Sequence, residues 1–172
     1  VPIIKDIIRA YRIPILEVAG YEADDVIGTL ATKAGQQGIT TYMMTPDKDY
    51  GQLVTEHVFM YRPKYGDKEF EVMGIEQVKA KFDIQSPSQI IDMLGLMGDA
   101  SDNIPGCPGV GEKTAQKLIA EFGNIENLLE HTDQLKGALK TKVETNREMI
   151  TFSKFLATIK TDVPIELDMN AL

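Results

Sequence analysis

Leu96-Met97-Gly98-Asp99-Ala100-Ser101-Asp102-Asn103-Ile104-Pro105-Gly106-Cys107-Pro108-Gly109-Val110-Gly111-Glu112-Lys113-Thr114-Ala115 decides how the rest of the chain is read. The residues before it, Ser88–Met97, carry Ile90, Ile91, Met93, Leu94, Leu96 and Met97, so they predict a helix with little polar face and a buried position. Pro108-Gly109-Val110-Gly111 predicts a tight turn where only glycine suits the backbone. A second helix starts at once, over Glu112–Phe122, and its first unpaired N–H groups suit an anion. Ala115 is small enough for close helix packing, and Lys113 and Lys117 add positive charge at that end. The pattern is a helix-hairpin-helix, which grips nucleic-acid backbone rather than reading bases. Its candidate phosphate contacts are Gly109, Val110, Gly111, Lys113, Thr114 and Lys117. A plain helix–helix connection is the competing reading, and Gly-x-Gly followed by Lys weighs against it. Cys107 reads as a packing residue rather than a redox one.

The same stretch holds Asp99 and Asp102, spaced i, i+3, which share a face if that turn stays helical. Two further acidic groups lie upstream. Gly20-Tyr21-Glu22-Ala23-Asp24-Asp25 falls at the start of a predicted helix, where the helix dipole alone would favour acids. Thr45-Pro46-Asp47-Lys48-Asp49 falls at the carboxyl end of a predicted strand, where turn and cap chemistry is the plain explanation and ligand binding the functional one. Each group follows an element able to carry it to one sheet edge, and together they offer seven carboxylates. Mg²⁺ and Mn²⁺ prefer oxygen ligands, and two such ions suit phosphodiester hydrolysis. On a helical wheel the apolar stripe Val26, Ile27, Leu30, Ala31 and Ala34 leaves Glu22 and Asp24 at its flanks and Asp25 nearly opposite, so Asp25 is the least expected close ligand.

Around these motifs the chain changes texture. Residues 1–72 alternate helix and strand signals: an amphipathic opening helix, strands at Ile13–Val18, Ile39–Thr45 and His57–Tyr61, helices at Glu22–Gln37 and Asp49–Val54, and a hairpin strand at Lys68–Val72 after a Gly66-Asp67 turn. This predicts an α/β layer with a largely parallel sheet. Residues 73–172 are mainly helical, with Ile75–Phe82, Ile125–Glu130 and one or two helices in Thr132–Leu156, followed by a tail with few constraints.

Composition sets outer limits. The net charge of −8 argues by itself against a nucleic-acid partner, unless the acids are gathered where metal offsets them. One cysteine excludes an internal disulfide, and one Cys with two His makes a structural zinc site improbable. No apolar run approaches the roughly 18–20 residues needed to span a bilayer, and no signal peptide is visible. The absence of an initiator Met, with a helix pattern from the first residues, suggests a start inside a larger protein.

The motifs GYEADD, TPDKDYGQL and LMGDASDNIPGCPGVGEKTA, in this order, resemble the 5′-nuclease domains of bacterial DNA polymerase I, members of the flap endonuclease and 5′–3′ exonuclease family. The resemblance covers nearly the whole chain. It implies a PIN-like α/β core followed by a helical DNA-binding lobe. It implies Mg²⁺- or Mn²⁺-dependent cleavage of duplex DNA with a 5′ flap, nick or RNA primer, in a cytoplasmic, nucleoid-associated bacterial enzyme with a polymerase domain in the same parent chain. By motif match Glu22, Asp24, Asp25, Asp47, Asp49, Asp99 and Asp102 correspond to the family's metal-site acids, with Glu22, Asp24, Asp47 and Asp49 the expected catalytic set. It also implies K⁺ held by backbone carbonyls of the hairpin loop against a DNA phosphate. An upstream Asp-bearing strand, a further Asp and a basic, aromatic arch belong to the family pattern and are not in this sequence, so the expectation is the C-terminal part of a nuclease domain.

Two other readings stay open: a non-catalytic DNA-binding module with structural acids, and an RNase or phosphatase on a similar sheet. From the resemblance, with the metal-site constellation incomplete, the chain is expected to bind metal weakly and to cut a 5′-flap duplex only slowly in Mn²⁺. Fast cleavage, lost in Asp47→Ala, would overturn that.

Overall fold

The computed structural model describes residues 2–63 and 69–169. Helix α1 spans Pro2–Ala10 and α2 spans Ala23–Gln36. Strands β1 (Thr41–Met44), β2 (Val58–Pro63) and β3 (Phe70–Met73) form one sheet in the order β1-β2-β3, the first pair parallel and the second antiparallel. Helices α3 (Ile75–Phe82), α4 (Ile90–Met97), α5 (Glu112–Phe122), α6 (Ile125–Glu130), α7 (Gly137–Thr145) and α8 (Arg147–Ala157) follow. The expected α/β layer with a helical lobe is therefore present, with one parallel and one antiparallel pair in the sheet. The Gly66-Asp67 turn expected to join β2 and β3 lies outside the described residues.

One face of the sheet points inward through Met43, Val58, Met60 and Met73, all nearly free of solvent. The period of two then sends Tyr42, Phe59, Tyr61 and Phe70 to the other face, where they stack on one another across the strands. The core continues from the inner face into the helical lobe through Ile90, Leu94, Leu96, Ile119, Leu128 and Ile150. Helix α4 is as buried as its pattern demands. Its one acid, Asp92, is enclosed but paired with Lys154 of α8 at 2.6 Å and accepts from the Ile125 amide at 2.9 Å.

Two expectations fail for a shared reason. Ile13–Val18 is not a strand: a strand exists only as a ladder, no described strand pairs with it, and Ile13 and Leu16 stay exposed. The tail after α8 is far from unconstrained. Gln52 donates to Ala157 O and accepts from the Ile159 amide, Thr29 Oγ1 accepts from the Val163 amide, and Lys33 Nζ donates to Ile165 O at 2.6 Å. These bonds lay residues 157–165 across α2 as a strap. Gly28 allows the approach, since a Cβ there would meet Ile159 Cγ2 at 2.7 Å.

The link between α4 and α5 depends on two glycines pressed together. Gly98 (φ +73°) and Gly106 (φ +63°) both occupy the left-handed region. A Cβ on Gly98 would lie 2.6 Å from Ile104 O, and one on Gly106 would strike the Gly98 backbone. Gly111 differs from the expectation that the whole turn needs glycine: its φ is −98° and a Cβ would meet open space. Gly106→Ala is therefore expected to cost about 3 kcal/mol or more in denaturant unfolding, whereas Gly111→Ala should stay within about 0.5 kcal/mol of the parent chain.

Candidate metal centre and nucleic-acid interface

The three acidic groups arrive at one place by three routes. Asp47 and Asp49 follow β1, whose carboxyl end opens into a 3-10 turn over Lys48–Leu53. Asp47 caps that turn, accepting from the Asp49 amide at 3.0 Å, and the Thr45 hydroxyl in turn accepts from the Asp47 amide. Glu22, Asp24 and Asp25 stand at the start of α2, where the helix dipole tolerates their charge. Asp99 and Asp102 sit in a loop closed by paired backbone bonds between Asp99 and Ile104, 2.9 and 2.8 Å long. That loop is a tight hairpin rather than a continued helical turn, so the i, i+3 argument reached the right neighbours through the wrong geometry.

A cleft of about 470 Å³ is lined by Glu22, Asp24, Asp25, Asp47, Asp49 and Asp102. Carboxylate oxygens of Asp49, Asp99 and Asp102 lie within 4.8 Å of one another. Asp25 does not turn away as the helical wheel suggested. Its carboxylate faces the cleft and accepts from the Lys160 amide at 2.9 Å. The stripe used on the wheel was displaced: Gly28 and Thr29 are buried under the strap while Ile27 is 39% exposed, so the inward face of α2 is rotated from the apolar one.

The electrostatics are uneven. Burial, then the neighbouring Asp47 charge, raises the Asp49 carboxyl to about 6. Its Oδ1 is buried with no hydrogen-bond partner. Burial would raise Asp99 as well, but an ion pair with Lys48 and two bonds from Ser101 outweigh it and hold the group near 2. Lys48 is raised chiefly by that pairing with Asp99. An all-oxygen set with one orphaned buried carboxylate oxygen matches the donor preference of a hard divalent ion such as Mg²⁺ or Mn²⁺.

Sequence reasoning missed several residues here. Lys48 has no role in the sequence pattern, and nothing local shows that its ammonium reaches Asp99. Gln52 holds Ala157 and Ile159 of the cleft's far wall in place, and Lys160, Phe155 and Leu156 line that wall. Only the tertiary contact reveals them.

The hairpin loop lies beyond Gly106, whose amide donates to Ser153 Oγ at 2.9 Å. The Cys107 amide donates to Leu96 O at 2.7 Å, and its side chain is buried, as a packing role requires. Gly109 has φ +75°, and its carbonyl accepts from Lys142 Nζ at 3.2 Å. Lys142, on α7, is a further cation at the loop that a polar helix pattern does not single out. Val110 is buried, whereas Gly111, Lys113 and Lys117 are exposed and Thr114 half-exposed. Gly111 caps α5 without any side-chain bond, leaving that helix end facing outward.

Comparison with known proteins places this arrangement. A family model described as "5'-3' exonuclease, N-terminal resolvase-like domain" matches residues 1–83, and one described as "5'-3' exonuclease, C-terminal SAM fold" matches residues 85–172. DNA polymerase I of Bacillus caldotenax is 46% identical over 170 residues, covering 98% of this chain and 19% of that relative. The chain thus spans about a fifth of the length of such relatives. Among solved structures, bacteriophage T5 5′-exonuclease with bound divalent zinc superposes with a TM-score of 0.79 at 22% identity, over 91% of this chain and 58% of that one. The T5 flap endonuclease complexed with DNA and metal ions gives 0.77 at 23%, over 91% and 57%. At those identities the likeness speaks for the fold.

The orphaned carboxylate yields a stability prediction. Because Asp49 takes a proton more readily in the folded chain than at its ordinary 3.8, its ionised form weakens the fold, increasingly as pH rises through about 4 to 6. Asp49→Asn should therefore stabilise the metal-free protein at pH 7.5 by about 1–2 kcal/mol, after allowance for solvent screening. The gain should vanish near pH 4, as read by thermal melts in EDTA.

Proposed function

The chain belongs to the 5′–3′ exonuclease family, in the branch found in DNA polymerase I, and we propose that it acts as a structure-specific 5′ nuclease on duplex DNA bearing a 5′ flap, a nick or an RNA primer. The carrying observation is the convergence of Glu22, Asp24, Asp25, Asp47, Asp49 and Asp102 on one cleft, with Asp99 behind them and an open helix-hairpin-helix on the same lobe. In this reading residues 1–72 carry the acidic platform. Residues 73–172 form the DNA-gripping lobe and lend Asp99 and Asp102 to the platform.

Mg²⁺ or Mn²⁺ held by these carboxylates, as one ion or two, would supply Lewis-acid stabilisation of the phosphate charge and a water of lowered pKa. Asp47 and Asp49 are the central ligands, because the 3-10 turn fixes both at the carboxyl end of β1. Glu22, Asp24 and Asp25 face them across the cleft and are suited to hold an ion through water. Asp102 is exposed at the cleft's edge, and Asp99 is held ionised by Lys48. The Val110 amide is taken by the Cys107 carbonyl, which leaves Gly109 and Gly111 of the turn, with Thr114, Lys113 and Lys117, to hold duplex phosphates without reading sequence. A K⁺ ion at the loop is supported by the Gly109 carbonyl, which already faces an ammonium. The biological setting that follows is primer removal and repair, beside a polymerase domain in the parent chain.

The test is a metal titration with three substrates. Mn²⁺ should raise the melting temperature by several degrees, and any cleavage of the 5′-flap duplex should require Mn²⁺ or Mg²⁺ and fall at least about 100-fold in Asp47→Ala. If neither metal shifts the melting temperature or the DNA affinity, the acids are structural and the chain is a non-catalytic DNA-binding module. Equal turnover of single-stranded RNA or a small phosphate ester would point instead to an RNase or a phosphatase.

A further inference from the structure

A second cleft, of about 500 Å³, shares Asp47 and Asp102 with the acidic one. Those two residues line both clefts, so the two spaces meet at the carboxylates. The second differs in sign: Lys48, Arg62 and Lys81 line it, together with Ser101 and the Phe82 ring. Lys48 and the Ser101 hydroxyl are committed to Asp99. Arg62 and Lys81 are not. Among the described residues neither meets a carboxylate within salt-bridge distance, although Asp47 and Asp102 share the cleft with them.

Their placement follows from the fold. Arg62 lies two residues beyond Met60 on β2 and so belongs to the inner face of the sheet. It sits where the core ends at the strand's carboxyl end, beside the segment that carries Asp47: the Thr45 amide donates to Tyr61 O and extends the pairing there. Its Nη1 rests 3.8 Å from Met73 Sδ, which supports the guanidinium at its base. Lys81 comes from the last turn of α3, with its ammonium 5.8 Å from the centre of the Phe82 ring. Two cations from different elements therefore converge next to the acids in a chain of net charge −8. A guanidinium presents a fork of donors that fits phosphate oxygens in pairs.

We infer that Arg62 and Lys81 form a phosphate-binding subsite for the nucleic-acid strand in the cleft that shares Asp47 and Asp102 with the acidic one. The inference rests on the nuclease reading above and deepens it. A strand drawn over Asp47 and Asp102 brings its own phosphates toward like charge. The cationic cleft offsets that repulsion one or two linkages from the reacting phosphate and sets which linkage lies over the acids. The wall that holds Phe155, Leu156 and Ile104 carries one cation, Lys160, whose ammonium lies over the Tyr21 ring, 5.6 Å from its centre.

The experiment uses the full chain and a 5′-flap duplex, with Ca²⁺ in place of Mn²⁺ for binding. Arg62→Gln/Lys81→Gln should keep the parent melting temperature and make the slope of log affinity against log salt shallower by about 1–2. Single neutral methylphosphonates are then walked along the linkages around the cleavage position. The parent chain should lose about tenfold in affinity at one or two of them, and the double variant should be indifferent at those same linkages. Lys113→Gln/Lys117→Gln serves as the comparator, with a shallower slope but full sensitivity at those linkages. If the parent binds the flap duplex and the double variant retains both the slope and the sensitivity, the subsite is wrong and the nuclease reading stands. A double variant with a shallower slope but unchanged linkage sensitivity also overturns it, since its cations then act only at a distance. If the parent chain neither prefers the flap duplex nor responds to metal, the nuclease reading itself falls, and the subsite with it.

Discussion

Two backbone hydrogen bonds between Asp99 and Ile104 bring the two functional halves of this chain together. They close a loop that begins at Gly98 and returns to it at Gly106, with no room for a side chain at either glycine. On one side of the closure stand Asp99 and Asp102, delivered to the acids that follow β1. On the other the chain runs through the buried Cys107 into the Gly109–Gly111 turn and α5. Acids and hairpin are thus a few residues apart along one rigid segment, anchored to α4 by the Cys107–Leu96 bond and to α8 by Ser153. A change in the register of this closure moves the acids and the hairpin turn together.

Gathering carboxylates has a cost that the surrounding structure only partly offsets. Lys48 neutralises Asp99, and backbone amides or the start of α2 satisfy Asp24, Asp25 and Asp47. Asp49 is left with a buried oxygen and no partner. An unpaired buried acceptor is what a fold selected for stability alone would remove, and its presence next to six other acids is the observation on which the metal-site proposal leans. The acidity that seemed to argue against nucleic acid is thereby localised. The basic residues lie around it, at the hairpin loop and in the cleft beside Asp47.

What could be read from the sequence was whatever local chemistry decides. Helices α3, α5 and α6 begin and end where their caps and glycines place them, and the buried character of α4 is written in its near-continuous apolar run. The motifs that carry the family resemblance were legible for the same reason, being short and contiguous. What escaped notice depends on partners far along the chain. Ile13–Val18 has strand-like composition and no ladder partner among the described residues. Asp25 ranks lowest among the seven acids because the wheel of α2 assumes that its apolar side faces inward. The strap instead buries Gly28 and Thr29, and no property of α2 alone announces a segment more than 130 residues away. Lys48, Gln52 and Lys160 went unassigned for that reason as well.

The strap has a kinetic meaning too. Thr29, Lys33 and Asp25 bond to residues between 132 and 135 positions later, and Gln52 reaches across 105 to 107. Contacts of such separation bear the largest loop-closure entropy and form late in folding. The α/β platform and the hairpin are each assembled largely from nearer contacts. The wall of the acidic cleft cannot close until residues 157–165 have been made, so a chain that has reached only the hairpin has all seven carboxylates before it has the surface that encloses them.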